Sequence, residues 1–251
     1  NGKEVLTANY SGGNMSVFRL RKDGTLSPAE ALFKGTANGP DTIRQIVPHI
    51  HCALFSPDGK YIFATDFSAD RILRFTLSSE GNISRLPGEA TDIAPDSGPR
   101  HLTFSPNGKF AYLINELSGK VIAFGYTDGT LEQIQSIAAD SLQARGSADI
   151  HLSPDGKFLY ASNRLEGDGI AIFTVDTVNG TLTRAGYQPT GIHPRHFNIT
   201  PNGKYLLAAC RDSNVIQVYE RDTENGLLRD TQQDILIDKP VCVQFIPPFH
   251  N

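Results

Sequence analysis

Short apolar segments separated by polar turns recur along the whole chain at a nearly constant interval. In each full repeat an apolar segment leads into a Pro-Asn/Asp-Gly-Lys tetrad, and a second, almost continuously apolar segment follows it. Proline fixes φ at the first turn position, Asn or Asp tolerates left-handed geometry and Gly supplies a positive φ. Each tetrad therefore predicts a tight turn between two antiparallel strands. The turn glycines are Gly2, Gly59, Gly108, Gly156 and Gly203.

The spacings between these glycines are 57, 49, 48 and 47 residues. A period near that length with several short strands per copy is typical of a β-propeller. We therefore predict an all-β fold, a β-propeller of four-stranded blades with five repeats in one domain over residues 1–251. The predicted inner strands are 52–56, 101–105, 149–153 and 196–200; the second strands are 61–66, 110–115, 158–163 and 205–210; and the third strands are 72–77, 121–126, 170–175 and 215–220.

The two ends of the chain and one insertion depart from the regular repeat. The first blade has strands at 4–9 and 14–20 but no inner strand, whereas residues 241–247 match an inner strand that no blade follows. Either the termini together close a five-bladed ring, or the chain is part of a larger propeller. Residues 35–48 form an irregular insertion, and loops of that size in compact domains tend to be functional.

Composition and charge exclude some partners. The formal net charge is −4, which gives no basic footprint, so we expect no nucleic-acid partner. No apolar run approaches membrane-spanning length, and no membrane partner is expected. The three cysteines, Cys52, Cys210 and Cys242, have neither pairing nor metal spacing and are predicted to be buried structural thiols.

Equivalent positions of the repeat predict which side chains meet. The start of an inner strand and the end of the second strand lie at the same end of an antiparallel hairpin. Both sets of positions should therefore gather around one mouth of the central channel. At the start of the inner strands, the equivalent residues are His51, Arg100, Ala148 and Arg195. At the end of the second strands they are Tyr10, Phe67, Glu116, Arg164 and Arg211, and the residues immediately before these are Asn9, Asp66, Asn115, Asn163 and Cys210.

Arginines, a carboxylate and histidines at one mouth are suited to a small anionic substrate. Arginine binds carboxylate or phosphate bidentately, glutamate can act as a base, and histidine exchanges a proton near neutral pH. The alternative is a structural network in which the arginines pair with Asp66, Glu116 or backbone carbonyls, with His49 and His51 anchoring loops. His101 and His196 are interpreted as structural and His151 as a packing residue. His49 and His51 share one strand face, but no third ligand has a fixed spacing, so we predict neither a metal nor a cofactor.

Several motifs in this order resemble the lactonase family of seven-bladed propellers. They are GPDTIRQIVPHIH, GPRHLTFSPNGKFAYLINEL, LSPDGKFLYASNR and HPRHFNITPNGKYLLAACRDSN. The family includes a bacterial 6-phosphogluconolactonase and the fungal carboxy-muconate lactonising enzyme, and the resemblance covers essentially the whole chain. It implies a seven-bladed fold in which this chain supplies blades three to seven and lacks two N-terminal blades, about 90 residues.

The resemblance also assigns roles to residues. Matched by motif, the catalytic His, Glu and arginines of the muconate-lactonising relatives correspond to His51, Glu116, Arg100 and Arg164. We expect Glu116, His51 and Arg100 to be catalytic, and the substrate-binding residues to be Arg164, Arg195, His49, Asp66, Asn163 and Arg211. Two positions depart from the family: Phe67-Ser68 stands where Leu-Gly is usual, and Cys210-Arg211 where Asn-Gln is common.

The leading hypothesis is hydrolysis of a sugar lactone, 6-phosphoglucono-δ-lactone in particular, without a metal or cofactor. The alternatives are a lactonising isomerase of carboxylated muconates and a non-catalytic propeller that binds a ligand or protein at its rim. A cytoplasmic location is expected, with the periplasm as the alternative. Unpaired blade edges would favour self-association.

Overall fold

The computed structural model describes residues 2–78, 81–84 and 90–246. Their strands form five antiparallel sheets that follow one another in chain order, which confirms the propeller prediction. Sheet 1 contains β1 (Glu4–Asn9), β2 (Asn14–Arg19) and β3 (Ala31–Lys34). Sheet 2 contains β4 (Ile50–Phe55), β5 (Tyr61–Asp66) and β6 (Arg71–Leu77), with β7 (Ile83–Ser84) and β8 (Ala90–Asp92) both paired to β6.

The other three sheets repeat this order from the inner strand outward. Sheet 3 contains β9 (Pro99–Phe104), β10 (Phe110–Asn115), β11 (Lys120–Thr127) and β12 (Thr130–Ala138). Sheet 4 contains β13 (Ile150–Leu152), β14 (Phe158–Asn163), β15 (Gly169–Val175) and β16 (Leu182–Pro189). Sheet 5 contains β17 (Pro194–Ile199), β18 (Tyr205–Cys210), β19 (Val215–Arg221), β20 (Leu228–Asp230) and β21 (Ile235–Leu236), and a 3-10 turn at Arg211–Ser213 follows β18.

The second strand of each full repeat has the bounds predicted from the sequence, since β5, β10, β14 and β18 cover 61–66, 110–115, 158–163 and 205–210. Every residue of β10 and of β14 is buried. This is the burial expected of a strand that packs against a neighbouring sheet on both faces. The outer strand β12, by contrast, has mostly exposed residues, as suits an edge strand.

The repeated tetrads form the predicted turns. At the turn after β9, Gly108 has φ +68° and its N–H donates to the carbonyl of Ser105 at 2.9 Å. The Asn107 side chain accepts from the Lys109 amide at 3.0 Å. Gly59, Gly156 and Gly203 have φ between 70° and 71°, so the same positive φ sets the strand pairing in each repeat.

Apolar side chains fill the spaces between successive sheets. One cluster joins sheets 3 and 4 through residues such as Tyr112, Leu159 and Phe173, and similar clusters join sheets 4 and 5, 2 and 3, and 1 and 2. Tyr112 crosses from sheet 3 to donate its hydroxyl to the Gly180 carbonyl in sheet 4, at 3.1 Å. Tyr160 makes the equivalent bond to Gly226 in sheet 5, at 2.8 Å.

Two sequence predictions are corrected here. Residues 241–246 form no strand, and 247 lies outside the described residues. The Val243 backbone forms hydrogen bonds with the His196 and Asn198 side chains of β17, but no second strand lies beside the segment among the described residues. Cys242 is exposed, not buried, whereas Cys210 is buried and Cys52 partly so. Among the described residues, no helix has the length and apolar character needed to cross a bilayer.

Candidate active site

A single buried carboxylate, that of Glu116, lies among three guanidinium groups. Arg100 Nε donates to Glu116 Oε2 at 2.8 Å, and Arg164 Nη2 lies 3.0 Å from Oε1. Arg44 Nη2 also pairs with Oε1. Glu116 is 5 % exposed and Arg100 2 %. The structure thus brings together Glu116, Arg100 and Arg164, as the equivalent repeat positions predict.

Local backbone geometry at the ends of β9 and β10 positions this carboxylate. The register between the two strands shifts at Asn115, immediately before Glu116. The Glu116 amide then donates to the Gly98 carbonyl at 2.8 Å. Gly98 has φ +62°, and a Cβ there would lie 2.7 Å from Leu117 Cγ. A glycine is therefore required where the chain enters β9, directly beside the site.

The arginines determine the charge state of Glu116. Burial alone would raise its pKa, but the charges of Arg100, Arg164 and Arg44 lower the pKa of Glu116 to about 2. The carboxylate is therefore ionised at neutral pH and has little tendency to take up a proton. This favours a role for Glu116 in holding the arginines over a role as general base.

Arg44, in the insertion at 35–48, is a site residue that the sequence analysis did not single out. Its Nη1 donates to the Arg145 carbonyl at 3.2 Å, and its guanidinium lies over the Phe67 ring, 5.3 Å from the centroid. Phe67, one of the departures from the family pattern, thus supplies a cation–π platform. The sequence marked the insertion as functional, but Arg44 has no equivalent in the other repeats, so position alone could not identify it.

The insertion is held in place by buried polar contacts. The Gln45 side chain, fully buried, donates to the Phe67 carbonyl at 2.8 Å and to Asp70 Oδ1 at 3.0 Å. Asp66 accepts the Thr36 amide at 2.7 Å. Arg145 joins Asp41 of the insertion to Asp96, with both ion pairs at 2.7 Å. Asp66 therefore anchors the insertion in this structure.

His51 lies beside this cluster and is partly exposed. Its imidazole makes no hydrogen bond to another described residue, and Nδ1 is buried without a partner. Burial, together with the charge of Arg100, lowers the pKa of His51 well below its ordinary value. The ring is therefore neutral near pH 7. His49, by contrast, stacks on Tyr10 with centroids 4.0 Å apart, and its Nδ1 bonds to the Tyr10 carbonyl at 2.8 Å.

Arg195 is a half-buried cation whose guanidinium forms no hydrogen bond or ion pair with any described residue. Burial and the charges of Arg100 and Arg211 lower its pKa, while Glu116 acts in the opposite direction. Arg211 instead pairs bidentately with Asp212, at 2.7 and 2.9 Å. Among these arginines, Arg195 has the largest unused donor capacity.

His193 is a second residue that the sequence analysis missed, although it opens the HPRHF motif. It is buried, with φ +62°, and its ring lies between Arg164 Nη1 at 3.2 Å and Arg211 Nη2 at 3.4 Å. Burial and these two charges lower the pKa of His193 to about 4. Asn163 is also buried. Its side-chain oxygen accepts a hydrogen bond from Ser147 Oγ at 2.6 Å, and its side-chain nitrogen donates to the Ala139 carbonyl at 3.1 Å.

A second polar cluster lies along the inner strands. Asp149, His151 and His196 each place one ligand-type atom within 4.8 Å of the others, and this set has the composition of a metal site. The sequence analysis interpreted both histidines as packing or structural residues. The hydrogen bonds of these residues decide between the two interpretations.

Comparison with known proteins identifies the family. The family model described as "Lactonase, 7-bladed beta-propeller" matches residues 1–245. A 6-phosphogluconolactonase of Formosa agariphila is 39 % identical over 99 % of the chain and 72 % of its own length. The 6-phosphogluconolactonase of Bacillus subtilis is 36 % identical over 96 % of the chain and 70 % of its own length.

The solved structures that resemble this chain include proteins described as lactonases. A candidate 6-phosphogluconolactonase from Bacteroides uniformis has a TM-score of 0.97 and 74 % identity, covering 98 % of this chain and 72 % of the other. The periplasmic gluconolactonase PpgL of Pseudomonas aeruginosa has a TM-score of 0.92 and 33 % identity, with 98 % and 70 % covered. The sheets, the arginine-lined mouth and these matches together show that the chain belongs to the lactonase family of seven-bladed β-propellers.

Proposed function

We propose that this protein hydrolyses 6-phosphoglucono-δ-lactone to 6-phosphogluconate at the mouth of the propeller channel. The observation that carries the proposal is the excess of guanidinium groups over carboxylates there: among the described residues, Arg44, Arg100, Arg164 and Arg195 lie near the Glu116 carboxylate. Such a field favours a dianionic phosphate and the negative charge that develops on an attacked lactone carbonyl. The family and the named relatives favour hydrolysis over the isomerase and binding-protein alternatives.

The unused hydrogen-bond donors divide the arginines by role. No described residue accepts a hydrogen bond from the Arg195 guanidinium, so we assign Arg195 to the phosphate, with Arg211 beside it. Arg100 uses Nε for Glu116 and Nη1 for the Ala148 carbonyl and His101, which leaves the two Nη2 hydrogens for the substrate. Arg164 donates to Glu116, to His193 and to the Gly146 carbonyl. Most of its capacity is thus used in holding the site together.

In the proposed reaction, neutral His51 takes a proton from a water molecule as the water oxygen attacks the lactone carbonyl carbon. Arg100 stabilises the resulting oxyanion. The ring C–O bond then breaks, the carbonyl re-forms, and the leaving alkoxide takes the proton from His51. Glu116 keeps the arginines in place and exchanges no proton. No metal or cofactor takes part in these steps.

A cytoplasmic location stays a prediction of the sequence.

Arg195→Ala tests the assignment of the phosphate. We expect kcat/KM for the phosphorylated lactone to fall roughly 100-fold, the scale of a lost charge-assisted contact, and kcat/KM for unphosphorylated glucono-δ-lactone to change little. Arg229→Ala is the matched control, because Arg229 lies on β20 and its side chain is 80 % exposed. An equal loss for both lactones would place the phosphate elsewhere.

A further inference from the structure

A continuous line of hydrogen bonds runs from Glu116 into the wall of the channel. Glu116 Oε2 accepts from Arg100 Nε at 2.8 Å. Arg100 Nη1 lies 3.2 Å from His101 Nε2, and His101 Nδ1 lies 2.7 Å from Asp149 Oδ1. The line crosses from β9 of sheet 3 to the residue preceding β13 of sheet 4. The proposed function assigns Arg100 a role but none to His101 or Asp149.

The donor and acceptor roles of the three residues assign the protons along this line. An arginine only donates, so His101 Nε2 must present a lone pair to Arg100. The single proton of the neutral ring is then on Nδ1, where it is donated to the Asp149 carboxylate. A charged His101 would turn an N–H toward the guanidinium and lose the contact. Burial and the charge of Arg100 lower the pKa of His101, which agrees with a neutral ring.

Asp149 is a fixed end point for this line. It is 2 % exposed. Its Oδ1 also accepts the Ile150 amide at 3.0 Å, and its Oδ2 accepts from the Phe197 amide and His151 Nε2, both at 3.1 Å. Although burial would raise its pKa, the charge of His151 and the bond from His101 hold the pKa of Asp149 well below its ordinary value.

A hydrogen bond of the neighbouring His196 disfavours a metal at Asp149. His196 Nδ1 accepts the Val243 amide at 3.2 Å, which leaves the proton of the neutral ring on Nε2. That nitrogen faces Asp149 Oδ2 at 3.5 Å. A metal would need the Nε2 lone pair, which this tautomer lacks. The cluster is therefore best described as a carboxylate surrounded by donors.

We propose that His101 is a positioning residue that, held by Asp149, fixes the Arg100 guanidinium in the orientation in which Nη2 meets the substrate. The second Nη1 hydrogen of Arg100 goes to the Ala148 carbonyl at 2.5 Å. Because Arg100 Nε also donates to Glu116, three hydrogen-bond acceptors determine the plane of the guanidinium. Removing the imidazole would let that plane rotate about the remaining bonds. The reaction would then lose the alignment of its oxyanion donor.

This proposal depends on the proposed function only for its kinetic part, so two measurements are combined. In the ¹⁵N-labelled full chain, NMR of the imidazole nitrogens should show His101 neutral at pH 7 with its proton on Nδ1, the resonance being assigned by its loss in His101→Gln. A proton on Nε2, or a charged ring, would overturn the proposal whether or not the chain is a lactonase.

The kinetic part compares His101→Ala with His151→Ala, which also loses a donor to Asp149 but does not reach Arg100. We expect kcat/KM for the phosphorylated lactone to fall roughly 10- to 100-fold in the first variant and less than about threefold in the second. His101→Gln, which keeps an acceptor and a donor, should recover part of the loss. In an Arg100→Ala background, His101→Ala should cost nothing further. Equal losses in the two alanine variants, or additive losses with Arg100→Ala, would show that His101 acts by another route.

Discussion

Glu116 separates three guanidinium groups that would otherwise repel one another in a buried setting. Its two oxygens accept from Arg44, Arg100 and Arg164. Removing one partner of a buried ionic network leaves the remaining charges uncompensated, which costs more than the net stabilisation of an intact pair. The residue therefore has a structural role that can be measured without any substrate.

We predict that Glu116→Gln lowers the free energy of unfolding by about 3–5 kcal/mol at pH 7. Because the folded-state pKa of Glu116 is depressed to about 2, the stabilisation is complete above its ordinary pKa of 4.5 and is lost as the pH falls toward about 2. Urea denaturation at several pH values measures this. Glu132→Gln, on an exposed position of β12, is the control. A difference between parent and Glu116→Gln that does not shrink with acidity would contradict the ion-pair account.

His51 gives the reaction a predictable pH dependence. Only the neutral imidazole can act as a base, and burial, Arg100 and Arg195 hold the pKa of His51 well below 6.5. We expect kcat/KM to be independent of pH around neutrality and to fall only well below pH 6.5. In Arg195→Ala one repelling charge is lost, so the acid limb should move to higher pH. A pH–rate profile measures both, and a limb that moves to lower pH, or does not move, would contradict the assignment.

The sequence predicted these residues unevenly. Repeat equivalence located Glu116, Arg100 and Arg164 because hairpin geometry brings hairpin ends to one mouth. It could not show that Arg195 has no ion-pair partner among the described residues, whereas Arg211 pairs with Asp212. Which arginine remains available depends on side-chain pairing in the folded molecule, and the repeat pattern contains no information on that.

The insertion at 35–48 is the element that completes the cluster. It carries Arg44 to Glu116, and Arg145 forms ion pairs with its Asp41 and with Asp96. Because the Arg145 side chain is 41 % exposed, its ion pairs contribute little to global stability. Their effect should appear in the placement of Arg44 instead.

We predict that Arg145→Ala lowers kcat/KM for the phosphorylated lactone roughly tenfold, as misplacement of a site loop does, while changing the free energy of unfolding by less than about 1 kcal/mol. Arg184→Ala is the control, since Arg184 bonds backbone carbonyls of Ala138 and Ala139 away from Glu116. Unchanged kinetics would mean that the insertion is held in place by Gln45 and Asp66 alone.

At the scale of the whole molecule, neighbouring sheets are held together by apolar clusters and by one repeated tyrosine contact. Tyr112 and Tyr160 each donate a buried hydroxyl to a turn carbonyl of the next sheet. We predict that Tyr112→Phe and Tyr160→Phe each lower the free energy of unfolding by about 1 kcal/mol, additively because different pairs of sheets are involved, with no change in kcat/KM. Urea denaturation of the single and double variants measures this. A double variant no less stable than either single one would contradict the account.

Strand positions could be predicted well where the signal is local. The turn tetrads and two-sided burial define β5, β10, β14 and β18 to the residue. Residues 241–246 have the same apolar pattern but form no strand, because a strand also needs a partner edge, which a local pattern cannot guarantee. The expectation of two further blades stays a prediction.

The most direct measurement is the hydrolysis of 6-phosphoglucono-δ-lactone by the purified protein, followed as acid release with the spontaneous rate subtracted. His51→Gln and the control Arg229→Ala are measured beside it. We predict a rate above background that falls at least roughly 100-fold in His51→Gln and is unchanged in Arg229→Ala. No rate above background would contradict the assignment of this substrate, and full activity in His51→Gln would contradict the proposed base.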